Sequence, residues 1–187
     1  IGETDGPQII RDNRKIVLEH LRSIDKYTVN ELFALTFILR SIKEDEFSVE
    51  FVRRIIHENF KPYQTDNLFS TDKGERSLLL LNSAIALLSR SGYVEEAEEY
   101  CLKAIELLKE HYNNVTHFMF HLLTFNYILA QIQLKLNKPE GIELANKCIR
   151  HIDAQIELTN LLGDSLTRDR LVKMFYDRNK TGIDFEF

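Results

Sequence analysis

Two asparagines, Asn82 and Asn126, lie 44 residues apart in similar surroundings. A carboxamide is both donor and acceptor, so it can pair with a peptide group whatever side chain that group bears. Leu79 and Leu123 precede the two asparagines at matching distances, and Ser89–Arg90 and Gln133–Leu134 follow them. Arg90 offers a planar fork that can take a carboxylate through two parallel bonds. These residue types suit noncovalent recognition. The competing reading is that both asparagines are solvated or bonded within their own helix pair.

Groups for covalent or metal chemistry are sparse. His117 and His121 sit four residues apart, a spacing that could share a metal on one helix face. Their neighbours Phe118, Met119 and Phe120 supply no carboxylate, and Glu-x-x-His occurs nowhere. We expect no metal and no cofactor. Cys101 and Cys148 are expected to behave as small core residues. No phosphate-cradling glycine loop, nucleophile elbow or Cys-x-x-Cys is present, so an enzyme is not expected. Asn114-Val115-Thr116 matches a glycosylation sequon and is read as chance.

Helices must position these residues. Helix-period hydrophobicity predicts Gln8–Ser23, with Ile9, Ile16, Val17, Leu21 and Ile24 on one stripe. Thr28–Ser41 opens on a capping box of Thr28 and Glu31. Ser48–Phe60 should turn Phe51, Val52, Ile55 and Ile56 inward. A loop or sub-domain boundary is expected over 61–74, where Pro, Asn, Asp, Ser and Thr cluster. Longer helices follow: Glu75–Ser91, Val94–Tyr112, Asn114–Leu136 and Pro139–Leu158. Gly92 and Asn137 are placed to end two of them, and Pro139 suits a first turn. Ser165–Asp177 is expected to cap the array, with Leu166, Leu171, Met174 and Phe175 as its apolar stripe, before a polar tail over 181–187. No segment alternates as a strand. The expected fold is all-α, one domain of 187 residues.

Composition agrees. Hydrophobic residues make up 44% and charged residues 28%, which excludes a disordered chain. The net charge of −5 excludes a whole-chain basic footprint for nucleic acid. No apolar run reaches the roughly 18 residues of a membrane span, so no membrane partner is expected. Ile1–Gln8 lacks the basic and apolar parts of a signal peptide. With two cysteines and a pI near 5.7, a cytoplasmic location is expected. The start at Ile1 is read as a fragment of a longer protein, with processing as the alternative.

The chain repeats. Shifted by 44 residues, Ser77–Leu108 falls on His121–Ile152 with eight of 32 positions identical, Asn82 and Asn126 among them. Ala97 falls on Gly141, a small residue in each second helix that lets it approach the first. Such hairpins stack, and stacking buries faces that neither could bury alone.

Gly92-Tyr93-Val94-Glu95-Glu96-Ala97, followed by Cys101 and Ala104, resembles the turn and second helix of the tetratricopeptide repeat. Leu81, Ala84, Ile85 and Leu88 match its first helix. The period departs from the usual length of about 34 residues, and the second copy lacks the turn glycine and the signature alanine. Short helices first, then Leu78–Ala84 leading into Gly92–Ala97, then Leu122–Leu136, resemble the C-terminal sensor domain of the Rgg-, MutR- and PlcR-like peptide-pheromone regulators. The resemblance implies a right-handed helical-repeat solenoid. A short signalling peptide would lie on its concave face, its backbone held by Asn82 and Asn126 and its side chains taken by Leu79 and Leu123. Arg90, Ser89 and Gln133 would complete the site. It further implies a homodimer that reaches DNA through a separate N-terminal domain. A constitutive scaffold binding a partner's tail, with Arg90 on the terminal carboxylate, is the alternative.

Overall fold

The computed structural model describes residues 13–24, 26–41, 48–65, 72–111, 118–165 and 169. They form seven helices: α1 (Arg14–Ser23), α2 (Val29–Ser41), α3 (Val49–Thr65), α4 (Asp72–Arg90), α5 (Val94–His111), α6 (Phe118–Lys135) and α7 (Pro139–Leu161). The fold is all-α among the described residues. No helix there is long and apolar enough to cross a membrane. Contacts divide the chain into two compact units, Ile1–Phe125 and Asn126–Phe187. The expected helix over Ser165–Asp177, its stripe and the tail lie almost wholly outside the described residues, as do residues 1–12.

Local chemistry sets the helix ends. The Thr28 N–H donates to Glu31 Oε2 at 2.6 Å, and the Glu31 N–H reaches back to Thr28 Oγ1 at 3.4 Å, so the capping box forms. Ser48 Oγ accepts from the Phe51 N–H at 3.2 Å and opens α3 in the same way. Gly92 has φ +90° and closes α4, with the Tyr93 N–H donating to Leu88 O at 3.2 Å. Asn137, at φ +54°, closes α6 with the Lys138 N–H on Gln133 O at 2.9 Å. Both are left-handed ends that satisfy carbonyls the helix leaves open.

Two boundaries differ from expectation. The loop expected over 61–74 is narrower, since α3 runs on to Thr65 and α4 begins at Asp72. Pro62 is one of the residues on which the longer loop was expected. Pro62 stands in the last turn of α3, where it removes one backbone bond without ending the helix. The N-terminal helices are also not all short: α3 has 17 residues, against 18 for α5.

In the first unit α4 is central. It packs on α2, α3 and α5, while α3 also packs on α5 and α1 on α2. Leu35, Ile38, Leu39, Val52, Ile55, Ile56, Leu78, Leu81, Ile85, Ala97 and Cys101 are wholly buried there. Phe51, Val52, Ile55 and Ile56 point inward as expected. The expected α1 stripe holds in part: Leu21 is buried and Val17 and Ile24 are half-buried, but Ile16 is 68% exposed and Leu18 is buried in its place, while Ile9 lies outside the described residues. α1 packs on one helix only among the larger contacts, so a narrow strip suffices to dock it.

The cross-contacts share one register. The Arg76 guanidinium lies over the Phe33 ring at 5.3 Å, and Arg40 Nε donates to Ser83 Oγ at 3.0 Å. Between α3 and α5, Arg53 grips Glu96 through Nε and Nη2, both at 2.8 Å, and Lys103 Nζ sits over the Phe60 ring at 4.9 Å. Each of these four pairs is separated by 43 residues. Partners therefore advance together along both helices, so α2 runs parallel to α4 and α3 to α5. The starts of α3, α5 and α7 at Val49, Val94 and Pro139 keep a similar spacing of 45 residues.

In the second unit Gly141 begins α7 against the end of α6. A Cβ there would come within 2.9 Å of Gln133 Cβ and of the Leu134 backbone N. The small-residue position read from the sequence is thus a close helix crossing. Ala145, Cys148 and Ile152 continue the buried face of α7.

Candidate functional site

The first unit gathers Leu79, Asn82, Ser89 and Arg90 along α4 and contains Leu123 on α6. Asn126 and Gln133 belong to the second unit. Leu79, Arg90, Asn126 and Gln133 are half-buried, while Ser89 and Leu123 are buried. The Gln133 Cβ lines the close crossing at Gly141, so that side chain departs from the α6–α7 contact. Arg90 donates from Nη2 to Leu39 O at 3.4 Å, a long bond onto the last turn of α2.

Asn82 and Ser91 each bury a polar side-chain atom without a partner among the described residues, and of the two Asn82 is the predicted site residue on α4. It is 7% exposed, and its buried Nδ2 finds no hydrogen-bond partner among the described residues. Buried Asn59 shows the usual solution, with Nδ2 donating to Ile55 O at 2.8 Å one turn back. Ser83, beside Asn82, takes the same route, its Oγ donating to Leu79 O at 2.9 Å. A buried donor left unpaired costs about 1–3 kcal/mol. A donor in this state can pair with an acceptor supplied from outside the chain.

Sequence reading missed the rest of this face. Ser83 Oγ accepts from Arg40 Nε, which joins α2 to α4. Val29, Phe33 and Arg40 are exposed and Phe37 is half-buried, and their three- and four-residue spacing puts them on one stripe of α2. Arg76, Leu79, Ala86 and Arg90 form the half-buried stripe of α4. The Arg76–Phe33 and Arg40–Ser83 contacts bring the two stripes edge to edge. Arg40 is exposed as a residue, yet protein atoms crowd its guanidinium and desolvation lowers its pKa. The sequence signal was the Phe33–Phe37–Arg40 spacing, which had no meaning until α2 was known to lie beside α4.

The residues considered for other chemistry sit in packing roles. Cys101 is fully buried, its Sγ–H donates to Phe125 O at 3.3 Å, and burial pushes its pKa up. Burial raises the Cys148 thiol to about 11. At both positions burial disfavours the thiolate, which is the nucleophilic form. His121 is buried with its ring edge-on to Phe120 at 6.0 Å, and His117 lies outside the described residues. Among the described residues no group of three His, Cys, Asp or Glu side chains could hold a metal ion.

The arrangement can hold an extended ligand by amide, guanidinium and apolar contacts. Comparison of the chain with known protein families, with characterised proteins and with solved structures finds no match.

Proposed function

We propose that this chain is the ligand-sensing domain of a transcriptional regulator of the peptide-pheromone type. In this reading the hairpins form a degenerate tetratricopeptide-like solenoid that binds a short signalling peptide. The domain works as a cytoplasmic homodimer, and DNA contact belongs to a domain outside this sequence. On the first unit Asn82 holds peptide backbone, Leu79 and Leu123 take side chains, and Ser89 and Arg90 lie beside them; on the second unit Asn126 and Gln133 offer the same carboxamide chemistry.

One observation carries this reading: the unpaired, buried Nδ2 of Asn82 on α4. The parallel register of α2 on α4 and α3 on α5 supports it, because stacked hairpins in one register are how helical repeats present a ligand face. Binding can drive a response only through differential affinity for two states of the domain. The scaffold reading draws less support, since Arg90 already spends a donor on Leu39 O.

The test is calorimetry and native mass spectrometry of the chain with peptides recovered from the spent medium of its own host. A bound peptide of about 5–10 residues is expected. Asn82→Ala combined with Asn126→Ala should weaken it roughly ten-fold or more, by loss of two backbone contacts, with unchanged far-UV circular dichroism. Unchanged affinity in the double variant would overturn the assignment.

A further inference from the structure

We propose that the exposed face shared by α2 and α4 selects an acidic peptide: Arg40, flanked by Arg76 and Arg90, takes a carboxylate, while Phe33, Phe37 and Leu79 take apolar side chains beside it. The inference rests on the peptide-binding reading above and adds the chemical class of the ligand. It uses only residues of the first unit.

Charge complementarity is the first argument. The chain carries net charge −5, yet three arginines lie on these two stripes. The four residues of each stripe named above include no carboxylate; Asp72 and Glu75 lie in the first turn of α4. Glu31 of α2 points elsewhere, bonded to the Thr28 N–H and 3.3 Å from His20 Nε2. An overall anionic protein repels acidic ligands at long range, so a local cationic face is a selective feature rather than a general one.

The state of Arg40 is the second argument. Arg53, in the same unit, grips the Glu96 carboxylate through Nε and Nη2. Arg40 is oriented by a neutral hydroxyl, through Nε on Ser83 Oγ, and desolvation is the one influence on its pKa. A partly desolvated guanidinium held by one edge keeps its fork for a planar anion, which is the strongest pairing available to it. Phe33, 39% exposed under the Arg76 guanidinium, gives the same face an apolar floor.

The experiment equilibrates the full chain with a pooled library of amidated, N-acetylated peptides and sequences the retained fraction by mass spectrometry. Amidation removes the terminal carboxylate, so enrichment reports side chains. Retained peptides should be enriched roughly ten-fold in those joining Asp or Glu to Leu, Ile or Phe, the gain expected from one charge-assisted pair. Arg40→Gln should abolish the acidic enrichment and Arg40→Lys should keep part of it. Asn82→Ala should lower recovery without changing composition. Raised ionic strength should reduce the enrichment. Circular dichroism of each variant identifies any that fail to fold. Retention without acidic enrichment, or enrichment that survives Arg40→Gln, overturns this inference alone. A library from which nothing is retained overturns the peptide-binding reading and this inference with it.

Discussion

Asn82 puts a stability question at the scale of one side chain. If its buried Nδ2 is kept unpaired for a ligand, the free protein bears a cost that an apolar side chain of similar volume removes. Asn82→Leu should therefore raise the unfolding free energy by about 1 kcal/mol in denaturant titrations while abolishing peptide binding. A loss of stability would mean that the amide is satisfied in solution. Gly141 and Gly92 make a second comparison at this scale. Gly92→Ala meets nothing within 4 Å, so it adds only the left-handed backbone penalty of about 1–2 kcal/mol. Gly141→Ala pushes a methyl into Gln133 Cβ and the Leu134 backbone, which must shift apart. Its cost should be about 1–3 kcal/mol, with a changed α6–α7 crossing, and thermal unfolding of the two variants measures both.

At the scale of elements, capping and pairing make stability depend on acid. The Thr28 N–H and hydroxyl hold the Glu31 carboxyl below its ordinary value of 4.5, and Arg53 does the same for Glu96. A carboxylate whose folded pKa is depressed contributes stability above its unfolded pKa and loses it as pH falls through the folded value. The chain should therefore lose stability progressively below about pH 4.5. Glu31→Gln and Glu96→Gln should each flatten that loss in urea midpoints measured against pH. The effect should be modest, because both side chains keep about a quarter of their surface in water, 24% and 26%, which screens them.

Elements also show how much could be read without coordinates. The Thr28–Glu31 box, the ends at Gly92 and Asn137 and the inward face of α3 depend on residues within one or two turns, and all were legible. The last turn of α3 was not, because Pro62 breaks helices on average while tolerating a terminal turn. The stacking of α2/α3 on α4/α5 was missed for another reason. Val52, Ile56 and Phe60 occupy places in α3 that Ala97, Cys101 and Ile105 occupy 45 residues later in α5. Burial is shared at these places, but side-chain size is not, so matching identities fails where matching exposure succeeds.

At the scale of the molecule, the helices of the first unit bury through their neighbours what they cannot bury alone. In the first unit Arg53–Glu96 fixes α3 to α5 on one side, while Arg40–Ser83 and Arg76–Phe33 fix α2 to α4 on the other. Sequence by itself determined the all-α character, most helix ends and the 44-residue recurrence of Asn82 and Asn126, because periodicity and capping act over a few residues. It determined that Cys101 and Cys148 are packing residues, since their places in the helical period are small and apolar. The tertiary structure alone decided that Ile16 faces solvent, that Asn82 Nδ2 is buried without a partner among the described residues and that Arg40 joins Arg76 and Arg90 on one face. Each of those depends on which helix lies alongside, and for Arg40 and Arg76 the partners stand 43 residues away, beyond the reach of any local pattern.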